Sequence, residues 1–234
     1  MNIVITTMLW KRHELFEVWA MHIHRLVNSF PDYNISVIVA GSEGNESFNL
    51  VKGFGFYYIE VPNKPLGYKA NIRLKACKVL KPDCVILLGS DDFINNKTFK
   101  YITDKIKEGF DEVAPLDLYV YDTITKRLVY SMGYTNHRKG EQLAIGRALS
   151  REVLEGVDWW LWDSFKNRGL DGLSRDRLKE VVKNPHYYKL KDNDLFMVDV
   201  KTKVNLSPFK IRENHRIVSP DLFKLKEYPI IKQL

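Results

Sequence analysis

VILLGSDDF, residues 85–93, is an apolar run of strand length that ends at two adjacent carboxylates, Asp91 and Asp92. A continuous apolar run is typical of a strand buried on both faces, as in a mostly parallel α/β sheet. Ligands of open α/β sheets bind at the carboxyl ends of the strands, where this carboxylate pair is expected. Hard oxygen ligands at that edge suit Mg²⁺ or Mn²⁺ bridging to a phosphate.

Around this stretch, the first half of the chain alternates predicted strands and helices. The strands are expected at 2–7, 35–40, 56–61 and 84–89, and the helices at 13–30, 66–80 and 96–110. This order predicts an α/β fold with a doubly wound, mostly parallel sheet, flanked by helices and joined by right-handed crossovers.

The second half is less regular and predicts a smaller, irregular C-terminal part. We expect a hairpin at 117–121 and 127–130, helices at 150–156, 158–169 and 174–183, a strand at 196–200 and an irregular tail. No repeat or low-complexity linker separates the halves. The two halves, residues 1–112 and residues 113–234, are therefore expected to form one continuous domain.

Composition indicates a globular protein with an affinity for anions. The 234 residues are 45% hydrophobic, and Lys and Arg total 36 against 29 Asp and Glu, a net charge of +7. That charge favours nucleotides, nucleic acid or an acidic membrane surface as partners. There is no apolar run of about 18 residues, so no transmembrane segment is expected. Two isolated cysteines and the lack of a signal peptide predict a cytoplasmic protein.

Familiar phosphate-binding motifs are missing from the sequence. No G-x-G-x-x-G follows the first strand, which argues against a dinucleotide-dependent dehydrogenase, and no Walker A motif is present, which argues against a P-loop enzyme. If this α/β half binds a nucleotide, the carboxylate pair must then bring in the phosphates through a metal ion.

Five segments, taken in order, resemble the family 2 glycosyltransferases of the GT-A fold. They are IVITT at 3–7, NKPLGYKAN at 63–71, LGSDD at 88–92, GRALSRE at 146–152 and DWWLW at 158–162. The resemblance implies transfer of a sugar from a nucleoside diphosphate donor, by analogy a UDP-sugar, with Mn²⁺ or Mg²⁺ on the diphosphate. It makes residues 1–112 the nucleotide-sugar-binding half and residues 113–234 the acceptor-side half with a C-terminal extension.

The resemblance also implies roles for individual residues. Base and ribose would contact Ile5, Thr6 and Thr7. The diphosphate would lie beside Asn63, Gly67, Lys69 and Asn71. Ser90, Asp91 and Asp92 would also contact the donor, and Asp91 and Asp92 would hold the metal. We expect Gly67 to let the backbone approach the ligand closely.

Two departures from the family pattern are visible. The metal motif reads GSDD at 89–92, without the first carboxylate of the usual Asp-x-Asp-Asp. After the second strand, where the family has acidic residues that hold the base, the chain reads AGSEG at 40–44. Ser42 and Glu43 are the candidate replacements.

Asp158 is the predicted catalytic base. An inverting transferase needs one carboxylate to take the proton of the acceptor hydroxyl, and the resemblance places it at the start of a helix. Asp163 and Asp171 are the reserves, and a helix N-cap is the alternative role of Asp158. His137 and His215 are the histidines considered as an additional metal or phosphate contact.

Three functions are compatible with the sequence. The first is a metal-dependent glycosyltransferase whose acceptor is a glycan, a lipid-linked sugar or a hydroxymethylated DNA base. The second is a sugar nucleotidyltransferase of similar fold, disfavoured because a basic, Gly-rich loop is missing after the first strand. The third is a non-enzymatic, basic nucleic-acid-binding protein, whose binding would weaken steeply with salt and would not need Asp91.

Overall fold

The computed structural model describes residues 1–204 and 209–219. The strands are β1 (Asn2–Met8), β2 (Asn34–Gly41), β3 (Tyr57–Glu60), β4 (Cys84–Leu87), β5 (Asp92–Ile94), β6 (Glu112–Pro115), β7 (Leu118–Asp122), β8 (Arg127–Ser131), β9 (Arg147–Ser150), β10 (Pro185–Tyr188), β11 (Met197–Lys201) and β12 (His215–Val218). The helices are α1 (His13–Asn28), α2 (Asn45–Gly53), α3 (Leu66–Cys77), α4 (Asn96–Lys107), α5 (Arg151–Gly156) and α6 (Leu170–Leu178). Within the described ranges, no helix is both long enough and apolar enough to cross a bilayer.

A seven-stranded sheet forms the centre of the molecule, in the order β10-β6-β9-β4-β1-β2-β3. Strand β1 pairs in parallel with β2 and β4, and β2 pairs in parallel with β3. Strand β9 runs antiparallel between β4 and β6. The sheet is therefore mostly parallel, as the strand and helix alternation predicts.

The two faces of this sheet bury separate hydrophobic clusters. Side chains of a strand alternate between faces, so Ile3 and Ile5 of β1 pack with Trp19 of α1, whereas Val4 packs with Leu74 of α3. The sheet is thus covered by helices on both sides, and its carboxyl edge is left for a site.

A second, five-stranded sheet has the order β12-β8-β7-β11-β5. The predicted hairpin is confirmed as β7 and β8, and the predicted strand at 196–200 as β11. The short strand β5 pairs antiparallel with β11, and Asp92 lies opposite Asp199 in that register. This small sheet carries a distant segment of the chain to the end of β4.

The helix predicted at 158–169 is wrong, and with it the N-cap role of Asp158. Asp158 and Trp159 have positive φ angles of 51° and 56°, a conformation that ends α5 instead of starting a new helix. The side chain of Asn71 then accepts hydrogen bonds from the backbone N–H groups of Leu161 and Trp162. Those groups are therefore satisfied without a helical turn.

The remaining predicted elements differ mainly at their ends. The helix predicted at 174–183 is found four residues earlier, as α6, and the short helix capped by Ser150 is confirmed as α5. Sequence reasoning did not predict α2, β5, β6, β9, β10 or β12, the last of which lies in the predicted irregular tail. The predicted irregular tail falls partly outside the described residues, and the division at residue 112 stays a prediction.

Candidate functional site

Three carboxylates meet at the carboxyl end of β4. Asp91 ends the turn after β4, Asp92 begins β5, and the antiparallel pairing with β11 places Asp199 opposite Asp92. Oxygen atoms of the three side chains all lie within 4.8 Å of one another. We call Asp91, Asp92 and Asp199 the carboxylate cluster.

Two cations contact this cluster. Arg12 Nη1 lies 2.5 Å from Asp91 Oδ2, and the other terminal nitrogen donates to Ser90 Oγ at 3.0 Å. Lys201 Nζ lies 2.6 Å from Asp199 Oδ2. The cluster therefore carries three acidic side chains against two basic ones.

The electrostatics of the cluster favour a further cation. Burial and the neighbouring charge of Asp91 raise the pKa of Asp199 to about 6, and burial, Asp91 and Asp199 raise the pKa of Asp92. Asp199 Oδ1 is buried and accepts no hydrogen bond. Carboxylate oxygens are the ligands that Mg²⁺ and Mn²⁺ prefer, so the donor set and the orphaned oxygen both fit a divalent ion.

Gly89 stands where the resemblance predicts a first carboxylate, and the structure supplies a steric reason. The backbone N–H of Gly89 donates to Asp92 Oδ2, so this carboxylate turns back over the glycine. A Cβ atom on Gly89 would lie 2.6 Å from Asp91 Oδ1 and 2.7 Å from Asp92 Oδ2. The third carboxylate of the cluster is supplied by Asp199 from the second sheet.

The cluster forms part of the wall of a cavity of about 680 Å³. Of the residues predicted to bind a nucleotide-sugar, five line this cavity: Asn63, Lys69, Ser90, Asp91 and Asp92. Arg12, Lys201 and Asp199 line it as well. A volume of this order is typical of small-molecule sites.

Lys69 is fully buried in the cavity wall and joins three loops. Its Nζ donates to Leu9 O at 2.8 Å, to Ser42 Oγ at 2.9 Å and to Asn63 Oδ1 at 3.4 Å. Burial lowers the pKa of Lys69 to about 8, against the opposing charges of nearby glutamates. Lys69 thus fixes the ends of β1 and β2 relative to the segment before α3.

Three other predicted residues do not line the cavity. Ile5 belongs to the hydrophobic cluster on the α1 face. Thr6 Oγ1 donates to Ile38 O at 3.0 Å within the sheet, and Thr7 Oγ1 is buried without a hydrogen-bond partner. The side chains of these β1 residues pack inside the protein, and only the following residues of the chain, from Met8 onward, reach the cavity.

Gly67 and Asn71 hold a neighbouring loop instead of facing the cavity. A Cβ on Gly67 would lie 2.0 Å from Asp163 O, and the Gly67 N–H donates to Lys166 O at 2.9 Å. The close approach that this glycine permits in the structure is therefore to backbone, and the predicted approach to a ligand stays a prediction. Asn71 Nδ2 donates to Trp162 O at 2.7 Å. Both residues position the loop that leads to α6.

Asp158, the predicted base, lies away from the cavity. Its side chain is 89% exposed, and Lys78 Nζ is 4.0 Å away. Asp163 does not line the cavity either, and its Oδ1 accepts from the Phe165 N–H. Asp171 does line it, in the first turn of α6, and accepts a hydrogen bond from Tyr134 Oη at 3.1 Å.

Sequence reasoning missed Asp199, Arg12 and Lys201. One signal was available: Asp199 interrupts the apolar strand MVDVK, where a carboxylate is out of place unless it has a partner or a role. The histidines considered as additional ligands, His137 and His215, do not line the described cavity. They lie in a 3₁₀ turn and in β12.

Comparison with known proteins identifies the fold. No family model and no curated protein matches the chain. The solved structure of S. aureus TarS 1–349 matches with a TM-score of 0.62 at 12% identity, covering 86% of this chain and 60% of TarS 1–349. The chain has a GT-A-like fold. The prediction of that fold from the five segments is confirmed.

Two more of the solved structures that match belong to different kinds of transferase. The mannosyltransferase PcManGT from Pyrobaculum calidifontis, in complex with GDP-Man and Mn²⁺, has a TM-score of 0.60 at 12% identity over 86% of this chain and 57% of its own. CMP:2-keto-3-deoxy-manno-octonic acid synthetase, complexed with CTP, has a TM-score of 0.54 at 13% identity over 100% of both chains. The chain thus spans about three fifths of TarS 1–349 and of PcManGT, and the whole synthetase.

Proposed function

We propose that the protein is a metal-dependent glycosyltransferase that moves a sugar from a nucleoside diphosphate to an acceptor hydroxyl. The observation that carries the proposal is the carboxylate cluster, which joins Asp199 to the predicted pair Asp91 and Asp92 on the wall of a cavity. A GT-A-like fold supports it, and among structures of that fold PcManGT was solved with GDP-Man and Mn²⁺.

In this proposal Asp91, Asp92 and Asp199 hold Mn²⁺ or Mg²⁺. A divalent ion held there would neutralise the charge of the diphosphate leaving group, so that no protein acid would be needed. Arg12 and Lys201 contact the ligand carboxylates and line the same cavity. Both cations can also pair with diphosphate oxygens, and they screen the cluster's repulsion when the site is empty.

Asp171 is the carboxylate that we propose as the base for an inverting transfer. It lines the cavity and accepts a hydrogen bond from Tyr134 Oη, which orients the side chain. It also lies in the first turn of a helix, where the resemblance places the base. Asp158 stays a prediction, but its exposure outside the cavity does not support it.

For the donor we propose a UDP-sugar, with the nucleotide beside Asn63, Lys69 and Ser90. S. aureus TarS was solved with UDP-GlcNAc and with UDP, which supports a nucleoside diphosphate. For the acceptor we propose a glycan hydroxyl, with a hydroxymethylated DNA base as the alternative, because the net charge of +7 favours an anionic partner.

Nucleotidyl transfer is the second candidate. The CTP-bound synthetase matches over the whole length of both chains, whereas the glycosyltransferases extend beyond this chain. The two reactions release different products from different substrates. A nucleotidyltransferase would release pyrophosphate from a nucleoside triphosphate and a sugar substrate, and a glycosyltransferase would release a nucleoside diphosphate.

The experiment measures thermal unfolding with UDP-, GDP-, TDP- and CMP-sugars, each with and without Mn²⁺. The variants are Asp91→Asn and, as a matched control, Asp194→Asn, whose side chain is 98% exposed. A ligand at about 100 times its dissociation constant stabilises a protein by about 2.7 kcal/mol. We expect a Mn²⁺-dependent shift for one donor, lost in Asp91→Asn and kept in the control.

Other outcomes decide between the alternatives. CTP and UTP are tested in a parallel arm, and a shift with one of them but with no nucleotide-sugar, together with pyrophosphate release, would favour nucleotidyl transfer. No shift with any nucleotide, together with salt-sensitive binding to DNA or RNA that ignores Asp91, would contradict both transferases and favour a nucleic-acid-binding protein.

A further inference from the structure

Arg73 is a buried cation that the proposed reaction does not use. It lies in α3, is 4% exposed and lines the cavity. Its Nε atom is buried without a hydrogen-bond partner. The guanidinium carbon lies 5.5 Å from the centroid of the Trp162 ring.

The surroundings of Arg73 do not compensate its charge. Within the described residues, no carboxylate forms an ion pair with the guanidinium, and burial lowers the pKa of Arg73 to about 10. Lys69, one helical turn earlier, adds a second positive charge, and the two cations repel. Lys69 has three acceptors for its protons, so the uncompensated member of the pair is Arg73.

An unpaired buried charge is costly, because the water lost on burial is not replaced by an opposite charge. An arginine is suited to one kind of partner above others: its planar fork donates two parallel hydrogen bonds to a carboxylate or a phosphate. A neutral hydroxyl would leave the charge uncompensated. Among the residues that the structure describes this partner is missing, and an oxyanion is the group that best supplies it.

The walls beside Arg73 are apolar. Ala70, Leu87, Trp162 and Leu170 line the cavity, and all four belong to or pack against the hydrophobic cluster on the α3 face of the sheet. We call these four residues with Arg73 the α3 recess. Apolar walls beside a buried cation suit a compact organic group, such as a sugar ring, that carries one acidic substituent.

The diphosphate has other cations available. Arg12 and Lys201 contact the carboxylate cluster, and the cluster itself fits a divalent ion. Arg73 instead belongs to α3, which packs on β1 and β2. We therefore assign Arg73 to a group of the ligand other than the diphosphate.

We propose that the α3 recess binds an oxyanion, a carboxylate or a phosphate, carried on the sugar of the donor or the acceptor, with Arg73 as its partner. The inference deepens the proposed function and rests on it in taking the cavity as a sugar-nucleotide site. It names the substrate class as an acidic sugar.

The test compares wild type with Arg73→Met, which keeps length without charge, and with Arg73→Lys, which keeps charge without the fork. Thermal unfolding is followed with glucuronate, with inorganic phosphate and with neutral glucose, at constant ionic strength and with a chelator. UDP is a separate arm. Mn²⁺ binding to each variant is measured in parallel and should stay unchanged.

We expect glucuronate or phosphate, but not glucose, to stabilise wild type, and the acid that acts identifies the substituent. Arg73→Met should bind that anion at least tenfold more weakly and, without anion, should melt no lower than wild type, because an uncompensated charge is removed. Arg73→Lys should be intermediate.

Three results would overturn the inference. Unchanged anion binding by Arg73→Met is the first. A lower melting temperature of that variant without any anion response in wild type is the second, because it would assign Arg73 to packing against Trp162. Weakened binding of UDP alone is the third, because it would assign Arg73 to the diphosphate. If the anion still binds at Arg73 but no nucleotide-sugar gives a metal-dependent thermal shift, the proposed function is contradicted instead.

Discussion

Arg12 Nη1 lies 2.5 Å from Asp91 Oδ2, so the loop after the first strand places a cation on the carboxylate cluster. A divalent ion bound by Asp91 competes with this arginine for the same oxygen. We predict that Arg12→Gln binds Mn²⁺ about fivefold more tightly, since a partly exposed ion pair contributes about 1 kcal/mol.

The same variant should bind a nucleoside diphosphate about tenfold more weakly, because a charge-assisted hydrogen bond is lost. Isothermal titration with Mn²⁺, and then with the diphosphate in saturating Mn²⁺, measures both effects. Lys11→Gln is the matched control, an adjacent loss of one positive charge from an exposed residue. Parallel changes in both variants would mean that net charge, not the Arg12–Asp91 contact, sets the affinities.

Asp199→Asn tests whether the second sheet completes the metal site. Removing one of three carboxylates should lower Mn²⁺ affinity by about 100-fold or more, since even residues behind the ligands change affinity by 10–100-fold. Electron paramagnetic resonance of free Mn²⁺ gives the affinity directly. Asp194→Asn, in the preceding turn, should bind like wild type. Equal affinities for Asp199→Asn and wild type would leave Asp91 and Asp92 as the whole site.

Most of the fold could be predicted because it depends on local patterns. The apolar run before Asp91 predicts a buried strand from its own residues, and the strand–helix alternation predicts parallel pairing around it. The same local pattern predicts that Asp91 and Asp92 lie at the carboxyl edge of the sheet. Both residues line the cavity in the structure.

What could not be predicted depends on contacts between distant segments. Asp199 reaches the cluster through the pairing of β11 with β5, a three-residue strand too short to be recognised from its pattern. A helix is predicted after Asp158 because Asp158 is a good N-cap and Gly169 a good end. In the structure the side chain of Asn71, far back in the chain, accepts hydrogen bonds from the backbone of this segment instead. Because this segment is not helical, Asp158 does not begin a helix, and we propose Asp171 as the base instead.

Asp171→Asn and Asp158→Asn together test the assignment of the base. Loss of a general base lowers the rate by about 10²–10⁴-fold, so we expect a kcat reduction of this size in Asp171→Asn with donor affinity unchanged. Asp158→Asn should keep kcat within about twofold, because exposed surface substitutions have small effects. Steady-state kinetics with the donor found by thermal shift measures both, and the reverse pattern would restore Asp158.

Gly67→Ala tests the packing of the loop before α6. The added Cβ would lie 2.0 Å from Asp163 O, so helix and loop must separate. We expect a loss of about 1–3 kcal/mol in the free energy of unfolding, as for other overpacked sites. Gly53→Ala, whose Cβ would meet no atom within 4 Å, should be neutral or slightly stabilising. Urea denaturation compares the two variants. Equal stabilities would show that the loop moves away from the added methyl group without loss of stability.

His22 should make the protein sensitive to acid. Its Nε2 donates to Ile94 O at 2.7 Å, and burial lowers the pKa of the imidazole to about 4 from 6.5. Between these values the unfolded chain binds the proton and the folded protein does not. Stability is therefore complete above pH 6.5 and falls as the pH drops towards 4, by at most about 3 kcal/mol from this group.

We predict that His22→Gln flattens this part of the pH–stability curve, whatever its effect on stability at neutral pH. The exposed His24, on the same helix, supplies the control His24→Gln, which should keep the wild-type slope. Chemical denaturation from pH 7 to pH 4 measures the slopes. Ile94 follows Phe93 and Asp92 in β5, and the His22 ring lies 5.5 Å from the Phe93 ring. Protonation of His22 would thus weaken the packing of β5, the strand that carries Asp92. If the slope of stability against pH is unchanged in His22→Gln, this connection between His22 and the site is contradicted.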